Sequence, residues 1–222
     1  MVYEIIKSKN KIFLETLIIT LSILVIGFSI GFYVESLRIQ ETLNYYKNFE
    51  IEALDLKLQN YYYQIMDETS CDKAIKQNFI FADEIYKTGL IIEQYEEANQ
   101  ISDQILTEKK RYVLLKTELW LNSILLKKKC NNPFHTVAYL YSQNYNQAKG
   151  AEQGAISDIL KKIKEEQGNK IVLLPIAGDL GIDSVNLQKE IYGITYLPSI
   201  IIDEKIVLNG YHTKEDIEKY LV

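Results

Sequence analysis

One uncharged stretch near the start of the chain limits its possible folds more than any other feature. Thr16–Val34 reads TLIITLSILVIGFSIGFYV and contains no charged residue. About 19 residues of helix cross roughly 30 Å of hydrocarbon, so this stretch predicts a membrane-spanning helix. Lys7, Lys9 and Lys11 precede it and Glu35 follows it. This charge distribution predicts a cytoplasmic N-terminus and an external location for the rest of the chain, with the lipid bilayer as a partner.

A cleaved signal peptide is the alternative interpretation of the same stretch. The apolar run is longer than the usual ~7–15 residues of a signal peptide, and no small-x-small cleavage motif follows it, so an uncleaved anchor is favoured. Gly27 and Gly31 form a Gly-x-x-x-Gly pair inside the stretch. Such pairs let two membrane helices approach closely, so a homodimer through the transmembrane helix is a further alternative.

The overall composition excludes one broad class of function. The chain has 222 residues, a net charge of −5 and a pI near 5.3. A protein that binds nucleic acid needs a basic face to neutralise phosphates, so we expect no nucleic-acid partner. The hydrophobic content of 47% is that of a folded protein, and the length allows one or two domains.

Beyond the apolar stretch the chain is polar, with apolar residues recurring at helical spacing to about residue 66. These residues are Leu43, Tyr46, Ile51, Leu54, Leu58, Tyr61 and Ile65. No Gly or Pro interrupts the pattern, so the membrane helix is predicted to continue outward as a stalk. A strict heptad does not persist upstream of Ile51, so a long coiled coil is not predicted.

Two further helices are predicted after the stalk, the first over residues 72–97 and the second from about residue 103 to the lysines at 127–129. Candidate N-caps precede them: Asp67, Thr69 or Ser70 before the first, and Ser102 before the second. The three lysines suit a helix C-terminus, where cations offset the helix dipole. They are interpreted as a solvated end.

The only two cysteines flank this predicted hairpin. Cys71 stands just before its first helix and Cys130 just after its second. Two helices of similar length joined by a short turn lie antiparallel, which brings both cysteines to one end. Outside the membrane a disulfide persists, and closing a loop of about 60 residues stabilises the fold by roughly 4 kcal/mol. Two unrelated buried thiols and a redox-cycling pair are the alternatives, although the spacing is unlike the Cys-x-x-Cys of reactive thiols.

After the linker NNPF, at residues 131–134, short apolar runs alternate with helical periodicity. The predicted elements are strand 137–141, helix 151–166, strand 171–177, a short helix capped by Asp183 or Ser184, strands 199–202 and 206–208, and a last helix capped by Thr213. This β-α-β-α-β-β-α order predicts an α/β fold with a mixed central sheet covered by helices.

Three parts of the chain are predicted from these patterns. Residues 1–35 form the cytoplasmic tip and transmembrane helix, and residues 36–130 form the helical stalk and antiparallel hairpin. Residues 131–222 form the α/β domain, which is expected to fold cooperatively on its own.

The stretch YGITYLPSIIID, residues 192–203, resembles the proline-bearing strand of the thioredoxin fold. In thioredoxins a Tyr-Gly-Ile ends a short helix, and an apolar residue then precedes a cis proline and a hydrophobic strand. Leu197 and Pro198 match at the right spacing, and Gly210 matches the glycine that follows the next strand. The resemblance covers about residues 135–222 and implies a cis bond between Leu197 and Pro198.

In thioredoxins the two active cysteines lie at the end of the first strand and the start of the following helix. Alignment by the EQG at residues 152–154 places Gln147–Gly150 there, and a small gap would place Tyr145 or Asn146 there instead. None of these residues is a thiol, so the domain cannot form a mixed disulfide, and we expect no enzymatic activity. The resemblance then implies only the surface that holds an extended peptide, predicted at Tyr145, Gln147, Gly150, Tyr196, Leu197 and Pro198.

No cofactor or metal site is predicted. His135 and His212 are the only histidines, and their separation in the chain gives no catalytic triad and no metal set. Asp179 and Asp183, in the stretch GDLGIDS, are interpreted as cap or turn residues rather than cation ligands. The sequence contains no glycine loop of the kind that cradles phosphates.

These features predict a single-pass membrane protein with an extracytoplasmic, thioredoxin-like domain that lacks a redox motif and binds a protein or peptide partner. Two alternatives stay open. In the first, the protein is an accessory of a thiol–disulfide oxidoreductase system and uses Cys71 and Cys130. In the second, it is a structural subunit of a membrane complex and docks through the helical hairpin.

Overall fold

A long first helix, α1, occupies Val2–Ile65. The computed structural model describes residues 2–97, 103–131 and 134–221. The chain divides into two compact units, Met1–Asn44 and Tyr45–Val222. The segment Lys11–Leu37 of α1 is long and apolar enough to cross a membrane, and none of its side chains is buried. This finding agrees with the predicted N-terminal span.

Two more helices follow, α2 at Cys71–Glu97 and α3 at Asp103–Cys130. Cys71 is the first residue of α2 and Cys130 is the last residue of α3. A disulfide joins them, and their Cα atoms are 5.6 Å apart. The predicted disulfide is confirmed. The predicted cap Ser102 lies outside the described residues.

The remaining elements follow the predicted order. They are β1 at His135–Tyr141, α4 at Gln147–Gln167, β2 at Ile171–Ala177, α5 at Asp183–Ile191, β3 at Ser199–Ile202, β4 at Ile206–Asn209 and α6 at Lys214–Glu218. The strands form one mixed sheet in the order β2-β1-β3-β4. β1 is parallel to β2 and antiparallel to β3, and β3 is antiparallel to β4. Residues 132–133 of the predicted linker lie outside the described residues.

Both faces of the sheet are covered by helices. In β1, Val137 and Tyr139 belong to a core shared with α4 and α6. Ala138 and Leu140 belong to a second core, which α2 and α3 share through residues such as Trp120. This division follows from the strand geometry, since successive residues point to opposite faces. Strands buried on both faces form continuous apolar runs, which explains why they were recognisable in the sequence.

The α2–α3 hairpin is a layer of this α/β unit. α3 contacts β1, β2 and α5, and α2 contacts β2. The α3 side chains of Leu115, Leu119 and Leu126 are fully buried in the core that contains Leu174 of β2. The predicted boundary at residue 131 therefore separates two segments that share one hydrophobic core.

The end of α3 is anchored by Lys127, which corrects the prediction of a solvated lysine end. The Lys127 ammonium group binds the carboxylate of Asp203 and lies 3.3 Å from that of Glu204, in the turn between β3 and β4. The hydroxyl of Thr136 accepts a further hydrogen bond from Lys127 at 3.1 Å. Lys129 donates to a backbone carbonyl of α1 at 2.7 Å. Both lysines therefore hold elements together, and the local pattern gave no sign of it.

Two of the predicted caps can be compared with the structure directly. The N-cap of α5 is Ile182, with no side-chain hydrogen bond, so neither Asp183 nor Ser184 caps this helix. Asp183 is instead the first helical residue, where a carboxylate is favourable beside the helix dipole. Thr213 caps α6 as predicted, because its hydroxyl accepts the N–H of Asp216 at 3.2 Å.

Candidate functional site

The first turn of α4 lies at the carboxyl end of β1. Asn146 is the N-cap, and its side-chain oxygen accepts the N–H of Lys149 at 3.0 Å. The helix therefore begins at Gln147, and the predicted start at residue 151 is wrong. The first turn is polar and contains Gly150, so apolar periodicity could not reveal it.

A buried glutamine joins α4 to the end of β1. The side chain of Gln153 accepts the N–H of Ser142 at 2.7 Å and donates to the Ser142 carbonyl at 3.1 Å. The hydroxyl of Tyr139 donates to the Gln153 carbonyl at 3.1 Å. Burial, with Glu152 nearby, raises the pKa of Tyr139, so this hydroxyl remains a neutral donor. Because these buried polar groups are paired, they fix where the chain leaves the sheet.

Asp179 holds the loop between β1 and α4 from the side of β2. Its carboxylate accepts the Ser142 hydroxyl at 2.6 Å and the N–H groups of Gln143 at 2.7 Å and Asn144 at 3.1 Å. Burial opposes ionisation of this carboxyl, but the hydrogen bonds together hold the pKa of Asp179 below its usual value. Asp179 is thus a turn residue, as its sequence context indicated. In the part of the chain that the structure describes, no group of three His, Cys, Asp or Glu side chains could hold a metal ion.

The peptide bond between Leu197 and Pro198 is cis, as expected. Pro198 is buried, while Leu197 is half-buried and packs against Gly178 in the loop after β2. A Cβ atom on Gly178 would lie 3.0 Å from both methyl carbons of Leu197. On the other side, the N–H of Gly210 donates to the Pro198 carbonyl at 2.8 Å. The proline loop is therefore held between the loops after β2 and β4.

Glu152 joins α4 to the proline loop. Its carboxylate accepts the Tyr196 hydroxyl at 3.0 Å, and its other oxygen accepts the N–H of Tyr211 at 3.1 Å. The ammonium group of Lys149 lies 5.3 Å from the centre of the Tyr196 ring. Gly210 permits this approach, since a Cβ there would lie 3.1 Å from Glu152 Oε1. The proline loop and the loop after β4 thus meet at the start of α4.

Exposed tyrosines surround this meeting point. Tyr145 packs on Gly150, where a Cβ would lie 2.7 Å from its ring. Tyr145 is 55% exposed, Tyr196 44% and Tyr211 54%. A tyrosine offers an apolar ring and a polar hydroxyl at small cost in conformational entropy, which suits a contact surface.

The predicted partner-binding residues fall into two groups that α4 joins. In one group Tyr145 contacts Gly150, and Gln147 is exposed nearby on the first turn of α4. The other group is the contiguous stretch Tyr196, Leu197 and Pro198. Lys149, Glu152 and Tyr211 were missed as members of the surface. No sequence signal distinguishes them, since charged residues are ordinary in the first turns of an amphipathic helix.

The chemistry of this surface is that of hydrogen bonding and apolar contact. The hydrogen bond to Glu152, helped by desolvation, raises the pKa of Tyr196, so its hydroxyl is neutral near pH 7. Both cysteines of the chain are in the disulfide. Lys109 contacts Gln143 beside this surface, and α3 runs 21 residues from Lys109 to Cys130. At 1.5 Å per residue this distance is about 30 Å, so the disulfide lies far from the surface.

A separate cleft of about 480 Å³ lies along α2. Its lining comes from α2, from Phe134 and from the turn before β2. The lining residues are Asp72, Ile75, Lys76, Phe79, Ile80, Asp83, Phe134, Asn169 and Lys170. The cleft therefore lies between α2 and the turn before β2 and shares no residue with the tyrosine-lined surface.

No protein-family model matches this sequence, and neither does any curated protein.

Proposed function

We propose that this protein is a single-pass membrane protein whose extracytoplasmic, thioredoxin-like domain lacks a redox motif and binds extended polypeptide. One observation supports the proposal most directly. The start of α4 and the cis-proline loop form a continuous surface through the contact between Glu152 and Tyr196, at 3.0 Å.

The fold supports the thioredoxin resemblance at several independent points. The element order is the one that the resemblance implies. The bond before Pro198 is cis, and Gly210 follows the next strand in a positive-φ conformation. α4 begins at Gln147, which supports the alignment of Gln147–Gly150 with the position of the active cysteines.

The N-terminal segment supports the anchored arrangement. Lys11–Leu37 can span a bilayer. The lysines at its start and Glu35 near its end favour a cytoplasmic N-terminus. The disulfide between Cys71 and Cys130 fits an oxidising compartment, which agrees with an external location for the second unit.

The binding mode follows from the geometry of the surface. We expect the backbone of a partner peptide to lie along the proline loop, with its side chains against Tyr145, Tyr196 and Tyr211. Rigid tyrosine rings and a loop held on both sides keep the cost of ordering this surface low. The peptide itself must be ordered on binding, so we expect affinities of about micromolar.

The test uses the purified full-length protein and a permanently unfolded polypeptide, reduced and carboxymethylated α-lactalbumin with a fluorescent label. Fluorescence anisotropy should detect binding. Tyr145→Ala and Tyr196→Ala should each weaken it about tenfold or more, as expected for aromatic anchors. The matched control is Tyr62→Ala, since Tyr62 is 58% exposed on α1.

Two results would contradict the proposal. Equal affinities of Tyr196→Ala and the Tyr62→Ala control would exclude the tyrosine-lined surface. Reduction of insulin disulfides by the wild-type protein, at a rate above that of buffer, would contradict the absence of redox chemistry.

The alignment with the active cysteines can be tested separately. In the double variant Gln147→Cys/Gly150→Cys the two positions are three residues apart in one helical turn, within the ~7 Å between Cα atoms that a disulfide needs. A side chain at position 150 meets the ring of Tyr145. We therefore expect faster oxidation when Tyr145→Ala is added. Failure of both variants to lose their free thiols would show that the alignment is displaced.

The cleft along α2 favours a second candidate function, in which the hairpin docks to another subunit of a membrane complex. Phe79 and Phe134 line the cleft with Ile80, which is 41% exposed. Ile80→Glu should then remove a co-purifying subunit from native membranes, while Tyr196→Ala should retain it. The opposite result would favour the tyrosine-lined surface.

A further inference from the structure

The last part of α1 has an apolar face that the single chain leaves exposed. Its residues are Ile51 at 72% exposure, Leu54 at 63%, Leu58 at 66%, Tyr61 at 65% and Ile65 at 81%. We call this set the α1 seam. The opposite side of the helix is buried against α3 through Leu56 and Tyr63, and Asn122 of α3 donates to the Leu56 carbonyl at 3.2 Å. A surface helix normally has one apolar face, and this segment has two.

The spacing of the α1 seam indicates what covers it. Its five residues follow one another at intervals of three, four, three and four. These are the a and d positions of two heptads, which stay in line when one helix wraps around another helix of the same kind. A globular partner could pack on the same spacing, because an ordinary amphipathic helix also has it. A second copy is favoured because it carries the same stripe at the same distance from the apolar stretch, so the two stripes match.

We propose that the protein forms a parallel homodimer through the α1 seam. Each copy carries the same stripe, so two copies related by a twofold axis match each other. The parallel direction rests on the proposed membrane anchoring, because chains inserted the same way into one bilayer run side by side. This dimer is distinct from one held by Gly27 and Gly31 in the apolar stretch.

The exposed area of the seam is sufficient for a modest interface. Four aliphatic side chains of about 100 Å² and one tyrosine of about 200 Å², each roughly two-thirds exposed, give roughly 400 Å² per chain. The pair then buries roughly 800 Å², which is less than the ~1,200–2,000 Å² of a stable interface, so the seam alone makes a weak contact. Two heptads alone are too short for a stable coiled coil in water. Confinement to one membrane raises the effective concentration of the second copy and favours the dimer.

The test is disulfide cross-linking of the full chain in liposomes. The native cysteines are paired with each other, so one added cysteine is the only free thiol. Ile51→Cys, Leu58→Cys and Ile65→Cys should each form a disulfide-linked dimer under mild oxidation. The control is Ser157→Cys, exposed on α4. We expect the seam variants to exceed the control by about tenfold or more.

Two other patterns of cross-linking would contradict the proposal. Cross-linking at Leu58 alone would show an antiparallel pair, because only the central position then meets itself. Yields at all three positions equal to that of the control would show that the seam is not a dimer interface.

A second measurement separates the seam from other contacts. Leu54→Glu/Leu58→Glu should reduce energy transfer between labelled copies in liposomes to the level of a monomer. Leu114→Glu, at a 46% exposed position of α3, should leave it unchanged. Gly27→Leu/Gly31→Leu should also leave it unchanged, and loss of the dimer in that variant alone would overturn the proposal. Carbonate extraction and peptide binding of the same proteins report separately on the anchor and on the proposed function.

Discussion

The ion pair at the end of α3 gives a quantitative test of how the hairpin is attached to the sheet. We predict that Lys127→Met destabilises the protein, while Lys128→Met does not. Methionine keeps the apolar stem of the lysine and removes the ammonium group with its charge and hydrogen-bond donors. Lys127 binds Asp203 and lies 3.3 Å from Glu204, and these three side chains are 17–23% exposed. Lys128 is exposed.

The size of the expected loss of stability depends on the hydrogen bonds that the two carboxylates keep after Lys127 is replaced. Breaking a fully buried ion pair costs about 3–5 kcal/mol, because the remaining charge is left unpaired. Here Asp203 keeps His135 Nδ1 at 2.6 Å and the N–H of Thr136 at 3.0 Å. Glu204 keeps the indole N–H of Trp120 at 2.9 Å. With these donors in place, we expect a loss of about 2 kcal/mol for Lys127→Met and less than about 0.5 kcal/mol for Lys128→Met.

The assay is urea unfolding in mild detergent, followed by the fluorescence of Trp120. This residue is the only tryptophan and lies in the core shared by α3 and the sheet. With a slope of about 2 kcal/mol per M, the midpoint of Lys127→Met should fall by about 1 M urea. Asp203→Asn added to Lys127→Met should recover part of the loss, since the unpaired charge is then removed. Equal midpoints for Lys127→Met and Lys128→Met would refute the reasoning and favour a solvated lysine end.

The same network predicts how stability changes in acid. Burial opposes ionisation of Asp203, but hydrogen bonds from Lys127, His135 and Thr136 outweigh it and lower the pKa of Asp203. A carboxyl with a lowered pKa in the folded state stabilises the fold above its ordinary value of 3.8, and this contribution is lost as the pH falls through the folded pKa. The wild type should therefore lose stability below about pH 4. Lys127→Met should lose less over the same range, because its Asp203 starts from a less depressed pKa.

Three further predictions concern the core, the disulfide and the β1–α4 junction. The fragment 131–222, which the sequence predicts to be independent, should show no cooperative thermal transition by circular dichroism, because it lacks the helices that cover one sheet face; a sharp transition would contradict this. Replacing Cys71 and Cys130 by serine should cost roughly 4 kcal/mol in urea unfolding, and an unchanged midpoint would show that the bond adds no stability. Gln153→Leu should cost about 2 kcal/mol, since it leaves a backbone N–H and carbonyl unpaired, while the exposed control Gln147→Leu should cost less than about 0.5 kcal/mol.

The strands were predictable because their signals are local. β2 has its predicted bounds, Ile171–Ala177, since an apolar run lies between Gly168 and Gly178. Gly168 ends α4 with a φ of 55°, a conformation that glycine adopts without strain. Glycines thus stand near both ends of the apolar run, just after α4 and just after β2. The bounds of β2 can therefore be read from the local sequence.

The attachment of the hairpin was not predictable from local patterns. Lys127 and Asp203 are 76 residues apart in the sequence, and each is ordinary in its own context. A lysine at a helix end suits the helix dipole, and an aspartate in a tight turn suits a positive φ, here 51°. Their pairing depends on the sheet order, which places the turn after β3 beside the start of β1 and the end of α3. The prediction of a solvated end was therefore wrong, because it considered only the residues of α3 and not those that pack against its end.

The candidate surface was predictable in its proline loop and not in its centre. The Leu-Pro at residues 197–198 stands in a motif of fixed spacing, and the cis bond is present where that motif placed it. Glu152, which holds the loop to α4, is one of many charged residues on polar helix faces. Its position opposite Tyr196 depends on where α4 begins, and that start is set by the cap Asn146 rather than by apolar periodicity. The contact depends on how α4 packs beside the proline loop, so the centre of the surface could be found only from the fold.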